Sequence, residues 1–186
     1  MLRHVGGVGG DYRMQIGAVA AAILVLSGPS WAEPTSATLF KHKNWEVELV
    51  TFDDGTKACL AEVDATTDSF TVWLYQDATF KLQFYSQEWD FGDPGSTADL
   101  QLRIDRRGPW NLTQAELYKS SVLFTLPEGD AGPRFLVEVA QGRDLLLATA
   151  AGEGVKSYSL AGSSASMRAM LDCGDAITGT NSNPFN

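Results

Sequence analysis

Histidine is nearly absent from this chain: 186 residues hold two, His4 and His42. A hydroxyl or thiol nucleophile needs a base within hydrogen-bond reach, most often an imidazole. His4 falls in the amino-terminal lead, so His42 stands alone in "KHKNW", where an exposed terminal position is expected. Cysteine is equally scarce, with Cys59 and Cys173 only. Zinc wants several Cys or His ligands, and this chain cannot supply them without separating its two thiols. There is no G-x-S-x-G elbow, no phosphate-cradling glycine loop and no internal repeat. Ser163 and Ser164 in "AGSSAS" read as caps of a helix rather than as nucleophiles. No catalytic residue, metal or cofactor is expected.

Long apolar runs are lacking too. The one uninterrupted run, "IGAVAAAILVL" from Ile16 to Leu26, is too short to span a bilayer. It follows a polar lead containing Arg3 and Arg13 and precedes "SGPSWAEP", where Ser30 and Ala32 are the small residues of a cleavage site. That is the three-part layout of a secretory signal over residues 1–32, with Met1 or Met14 as the start. A short membrane anchor is the rival reading. The mature chain then begins at Glu33.

Positive charge is the third shortage: 14 Lys and Arg against 23 Asp and Glu. Without the lead's Arg3, Arg13 and Asp11, the mature chain has 12 basic and 22 acidic residues, a net charge of −10. An acidic surface repels phosphates and anionic lipid, so nucleic acid and membrane surfaces are poor partners. No stable membrane insertion is expected after signal removal.

What is present is strand periodicity. In "NWEVELVTFDDGTKACLAEV", Trp45, Val47 and Leu49 alternate with Glu46 and Glu48, Asp53-Asp54-Gly55 supplies a tight turn, and Cys59, Ala61 and Val63 share one face of a return strand. "SFTVWLYQDATFKLQFYS" reads as two strands turning near Asp77, with Phe70, Val72 and Leu74 on one face and Phe80, Leu82 and Phe84 on the other's. "QEWDFGDPGSTAD" is a loop, "LQLRID" a strand, and "NLTQAELY" and "SVLFTL" a pair divided at Lys119-Ser120. "RFLVEVAQG" suits a short amphipathic helix, though its valines leave a strand open. "DLLLATA" and "VKSYSL" pair around Gly152 and Gly154. A last helix, capped by Ser163 or Ser164, buries Ala165, Met167, Ala169, Met170 and Cys173 and stops at Gly174.

The expected fold is therefore α+β and mainly β. About eight strands form an antiparallel β-sandwich or curled sheet, with two short helices toward the carboxyl terminus. Residues 33–174 make one exported domain, and 175–186 a loose tail. Export places Cys59 and Cys173 in an oxidising compartment, where the one possible intramolecular disulfide joins the early sheet to the last helix.

Three groups of residues invite a function. Glu88, Asp90, Asp93 and Asp99 crowd the acidic loop, in spacings that match no calcium loop. A carboxylate pair there would serve glycoside hydrolysis if it converged on a sugar. "RIDRRGPW" gathers Arg103, Arg106 and Arg107 near Trp110, the densest basic stretch of an acidic molecule. Trp89 and Trp110 beside polar loops can form a recognition patch for protein or glycan, while core packing is the ordinary role of tryptophan. Trp73 alternates within a strand and fits either side.

The elements "NWEVELV", "GTKACLAEV", "LQLRID", "RFLVEVAQGRDLLLATA" and "SYSLAGSSASMRAML", in this order, resemble the layout of the invasion-associated locus B family, small exported proteins of alphaproteobacteria. The likeness spans most of Trp45 to Leu171. This chain lacks the family's middle cysteine pair, and it has Gly162-Ser163 where the family tends to place a glycine and an aromatic. The resemblance implies an envelope, secreted or host-encounter role and no particular reaction. Together these readings predict a periplasmic or secreted, non-catalytic interaction protein with a protein or glycan partner in the envelope. The alternative is a small hydrolase of envelope glycans, or an inhibitor of one.

Overall fold

A computed structural model describes residues 34–93 and 95–179. The expected leader and residues 180–186 of the expected tail lie outside the described residues. Ten strands form one antiparallel sheet: β1 (Thr35–His42), β2 (Trp45–Thr51), β3 (Lys57–Ala65), β4 (Asp68–Tyr75), β5 (Phe80–Ser86), β6 (Ser96–Ile104), β7 (Trp110–Tyr118), β8 (Ser121–Thr125), β9 (Asp144–Thr149) and β10 (Gly154–Ser159). Two helices complete it, α1 (Ala131–Gln141) and α2 (Ser163–Thr178), the second near the carboxyl terminus. The strand order is β1-β2-β3-β4-β5-β8-β7-β6-β9-β10. The first five strands are a meander. Strands β6 to β8 then run back toward it, so that β8 closes against β5 and leaves β6 to receive β9.

The expected α+β class and antiparallel pairing are present. The strand tally fell short because β1, "TSATLFKH", lacks an apolar alternation. It lies almost wholly exposed at the sheet edge, where nothing selects for one. Strand β6 also begins at Ser96, so Asp99 belongs to a strand and not to the acidic loop.

Period-two alternation decides what faces inward. Trp45, Val47, Cys59, Ala61, Phe70, Val72, Leu82 and Phe84 are all buried. Phe70 stacks on Phe84 at 5.0 Å between ring centroids, and Tyr158 of β10 lies 6.0 Å from both. Phe135 of α1 meets Phe70 edge-on at 6.5 Å. Elements distant in sequence thus meet on β4 and β5.

Helix α2 lies over β1 to β4 and carries the Cys59–Cys173 disulfide, whose Cα atoms stand 6.0 Å apart across 114 residues of chain. It differs from expectation at both ends. Gly162, at φ 104°, takes the cap position, and no side chain caps the helix. Ser163 instead is buried and donates its hydroxyl to the Val139 carbonyl of α1 at 2.8 Å, joining the two helices. The helix also runs through Gly174 to Thr178 and ends at Gly179, which has the left-handed φ of 71° that terminates helices. Gly174 answers a packing demand: a Cβ there would stand 2.2 Å from the Leu74 side chain, so any larger residue would have to displace that buried leucine. The buried face is shifted as well, with Ser166 inside and Ala165 exposed.

The bridge adds to a core that already exists. Burying one phenylalanine contributes about 1.5–3 kcal/mol, and a loop of this length contributes about 4–5 kcal/mol in the chain-entropy limit. The Cys59→Ala/Cys173→Ala variant is therefore expected to stay folded in water but to lose about 2–5 kcal/mol. Urea titration should show a lower midpoint and a steeper slope, because the unfolded chain opens further without the link. An unchanged midpoint would refute a stabilising bridge.

Candidate functional site

The arginines and tryptophans singled out in the sequence divide among three places. Trp110 begins β7 and serves α1: its ring meets Phe135 edge-on at 5.3 Å, Arg134 lies 4.5 Å over it, and its indole N–H donates to Glu138 Oε2 at 2.9 Å. Arg107 pairs with Asp105 at 3.1 Å and edges a hollow of about 370 Å³ beside Trp110. Arg103 and Arg106 line a separate hollow of about 690 Å³, where Arg143, Asp105 and Asp144 join them. Trp89 follows β5, and its carbonyl accepts from Ser120 just beyond the far end of β7. The nine residues of β7 at about 3.3 Å each put it roughly 25 Å from Trp110. One patch does not contain both rings.

The carboxylates of the acidic loop, and Asp99 on β6, are each engaged within the fold. Asp90 accepts from the Gly92 amide, Asp93 from the Tyr118 hydroxyl at 3.2 Å, and Asp99 from the Gln114 amide at 2.8 Å. Glu88 pairs with Lys156 of β10 at 2.7 Å. Lys156 shares its strand face with the buried Tyr158 and reaches Asp68 at 3.0 Å, so it bridges β10 to β4 and to the loop. The hydrogen bonds it donates to Glu88 and Asp68 hold its ammonium above the usual lysine range. Burial pushes the Asp68 carboxyl up, but hydrogen bonds from Ser86 and Lys156 outweigh it and leave the carboxyl below its ordinary range. Burial, with the Asp68 charge, holds the Tyr158 phenol protonated far above its usual range.

Glu62 is the carboxylate that sequence reasoning missed. It stands on the outward face of β3 and accepts hydrogen bonds from Ser69 and Thr71 of β4. Burial raises its pKa, and those two hydrogen bonds only partly offset the rise. Glu62 and Asp68 edge one shallow hollow of about 320 Å³ with Gln83 and Tyr85. Their environments thus push two carboxyls in opposite directions beside the same space.

Gln83 and Tyr85 also belong to a neighbouring groove of about 630 Å³ on the outward face of β4, β5 and β8. The alternation that buries Val72, Leu74, Leu82 and Phe84 turns Trp73, Tyr75, Lys81, Gln83 and Tyr85 outward. Phe52 from the β2–β3 turn lies nearly parallel to Tyr75 at 6.2 Å, and Tyr75 nearly parallel to Trp73 at 6.1 Å. The row is pinned. The Trp73 indole donates to Gln83 Oε1 at 3.0 Å, and Gln83 Nε2 donates to Ser121 Oγ at 3.1 Å. Lys81 lies 5.2 Å from the Tyr75 ring, and Lys119 lies 5.0 Å from the Tyr118 ring at the groove's other side. Two strand strings, "TVWLY" and "KLQFY", already carried this face as the complement of the core face.

Among the described residues, no group of three or more His, Cys, Asp and Glu side chains is placed to hold a metal ion. No helix among them is long and apolar enough to cross a membrane.

The raised Glu62 carboxyl has a consequence for stability. Its folded pKa exceeds its unfolded value, so the folded state holds the proton more tightly. Stability is therefore lost as pH rises from the ordinary value of 4.5 through the folded one. Glu62→Gln keeps an acceptor for Thr71 and removes the charge. It is expected to raise the urea midpoint at neutral pH and to leave it unchanged well below the ordinary glutamate pKa; a gain of equal size at both pH values would contradict this account. Compared with protein-family models, with curated proteins and with solved structures, the chain matches none.

Proposed function

We propose that this is an exported, non-catalytic interaction protein of the bacterial periplasm or cell envelope, which binds its partner through the outward groove of β4, β5 and β8. The observation that carries the reading is the pinned row of Phe52, Tyr75 and Trp73 facing solvent beside Gln83 and Ser121. Aromatic rings present large apolar area at low entropic cost, and here hydrogen bonds hold the tryptophan before any partner arrives. Export is supported by the leader-like residues 1–32 and by a disulfide, a bond that persists in oxidising compartments. In this reading the sheet is curled. Its ladder is unbroken from β1 to β10, yet Tyr158 of β10 reaches Phe70 and Phe84 near its middle.

A second reading, hydrolysis of envelope glycans, rests on Glu62 and Asp68. Glu62 has the raised pKa of a general acid and Asp68 the lowered pKa of a carboxylate that stays ionised. It is the weaker reading because Asp68 is already neutralised by Lys156 at 3.0 Å.

Immobilised protein incubated with solubilised envelope separates the two. Retention of an envelope component is expected to fall at least tenfold in Trp73→Ala and to stay unchanged in Trp89→Ala, with both variants matching the parent in thermal midpoint. Turnover of an envelope glycan that Glu62→Gln abolishes would replace binding with hydrolysis. Retention that ignores Trp73 would remove the groove from the account.

A further inference from the structure

Resting on the groove reading above, we infer that the partner is an acidic polysaccharide, a chain of sugar rings bearing carboxylates. Charge is the first argument. The chain has 23 acidic residues against 14 basic ones, yet the charged residues lining the groove are Lys81 and Lys119, with no carboxylate. Asp77 in the β4–β5 turn acts on Lys81 and Tyr75 but is tied by the Thr79 amide, so an anion entering the groove meets two ammonium groups first. Lys119 also faces Asp93 at 3.6 Å, but both side chains are more than half exposed, and so open a pair contributes little and yields readily to a ligand carboxylate.

Shape is the second argument. Three near-parallel rings, spaced 6.1–6.2 Å apart, form an extended row instead of a single socket. A pyranose ring has an apolar C–H face that lies on an aromatic ring and a rim of hydroxyls that seeks hydrogen bonds. The groove supplies both. Gln83 uses its carbonyl and one N–H within the protein, and Ser121 accepts from it, so the second Gln83 N–H and the Ser121 O–H remain as donors at the ring edge. An acidic peptide would satisfy the lysines but would use the ring row less fully, since its backbone demands paired donors and acceptors along its length.

The groove also has a boundary. Past Gln83 and Tyr85 the lining turns acidic, with Glu62, Asp64 and Asp68 around the neighbouring hollow. An acidic chain is repelled there and is confined to the stretch from Phe52 to Lys119.

Isothermal titration of the purified protein tests this with three probes: oligomers of polygalacturonate, the same oligomers after reduction of their carboxyls to neutral alcohols, and a random Glu-Tyr copolypeptide. Polygalacturonate is expected to bind at least tenfold more tightly than either other probe. Lys81→Ala/Lys119→Ala should weaken it at least tenfold, raised salt should weaken it further, and Trp73→Ala should abolish it. Trp73→Tyr keeps a ring and should retain partial affinity, which guards against a folding defect in the alanine variant. Equal binding of the reduced oligomers overturns the charge assignment and leaves the groove reading intact. Preference for the copolypeptide replaces glycan with protein as the occupant, again within the groove. Affinity for polygalacturonate that survives Trp73→Ala overturns both readings, and retention of none of the probes overturns the acidic-glycan assignment.

Discussion

Helix α2 lying over β1 to β4 is the constraint on which the rest of this molecule depends. Two contacts enforce it, and they are adjacent in sequence. Cys173 is bonded to Cys59 near the start of β3, and Gly174 lets the helix backbone settle against Leu74 of β4. Met167, Met170 and Leu171 are then buried, which closes the core over the first half of the sheet. Ser163 extends the brace by bonding to Val139 of α1, so the bridged helix also positions the helix that covers Phe70. A link between such distant residues matters in this topology because two of the strand pairings, β5 with β8 and β6 with β9, skip the strands between them, and each such closure costs entropy before any contact offsets it.

Once the inward face is filled, the outward face follows without further choice. A strand has only two sides, so the residues between Val72, Leu74, Leu82 and Phe84 must meet solvent. Here those residues are aromatic, cationic or amide-bearing. The groove is therefore built between central strands and directly behind the aromatic cluster of the core. Its indole is held by a side-chain chain that spans β4, β5 and β8. This is the arrangement expected of a surface that binds without rearranging.

Electrostatics divide the surface into regions with different uses. Along β3 the carboxylates of Glu62 and Asp64 face outward beside Glu46 and Glu48 of β2, and burial penalises the charge on Glu62. At the other side of the sheet, one lysine reaches from β10 to two carboxylates and neutralises Asp68. Two of the arginines around the β6–β7 turn are engaged with structure: Arg107 of the turn with Asp105, and Arg103 of β6 with Gln101 at 3.3 Å. Lys81 and Lys119 each lie against a tyrosine ring at the groove, with exposed Asp93 also 3.6 Å from Lys119.

The identity of every strand but β1, the β4–β5 and β7–β8 pairings, the disulfide partners and the inward face were legible in the chain itself. Period-two patterning is a local signal, and two cysteines permit a single bridge. Trp73 could be placed on a strand but on neither side with certainty, because aromatic residues suit both a core and an outer face. Three-dimensional packing decided the remainder. It assigned Gly174 to close approach and Gly179 to helix termination, since which glycine ends a helix depends on what lies beneath it. It separated Trp89 from Trp110 by the length of β7, although a sequence measures them in residues and not along a strand. It brought Phe52, Trp73, Tyr85 and Tyr118 to one groove from four segments of chain. That convergence depends on β8 pairing with β5, a long-range contact made only when β6 and β7 have folded back, and no local pattern encodes it.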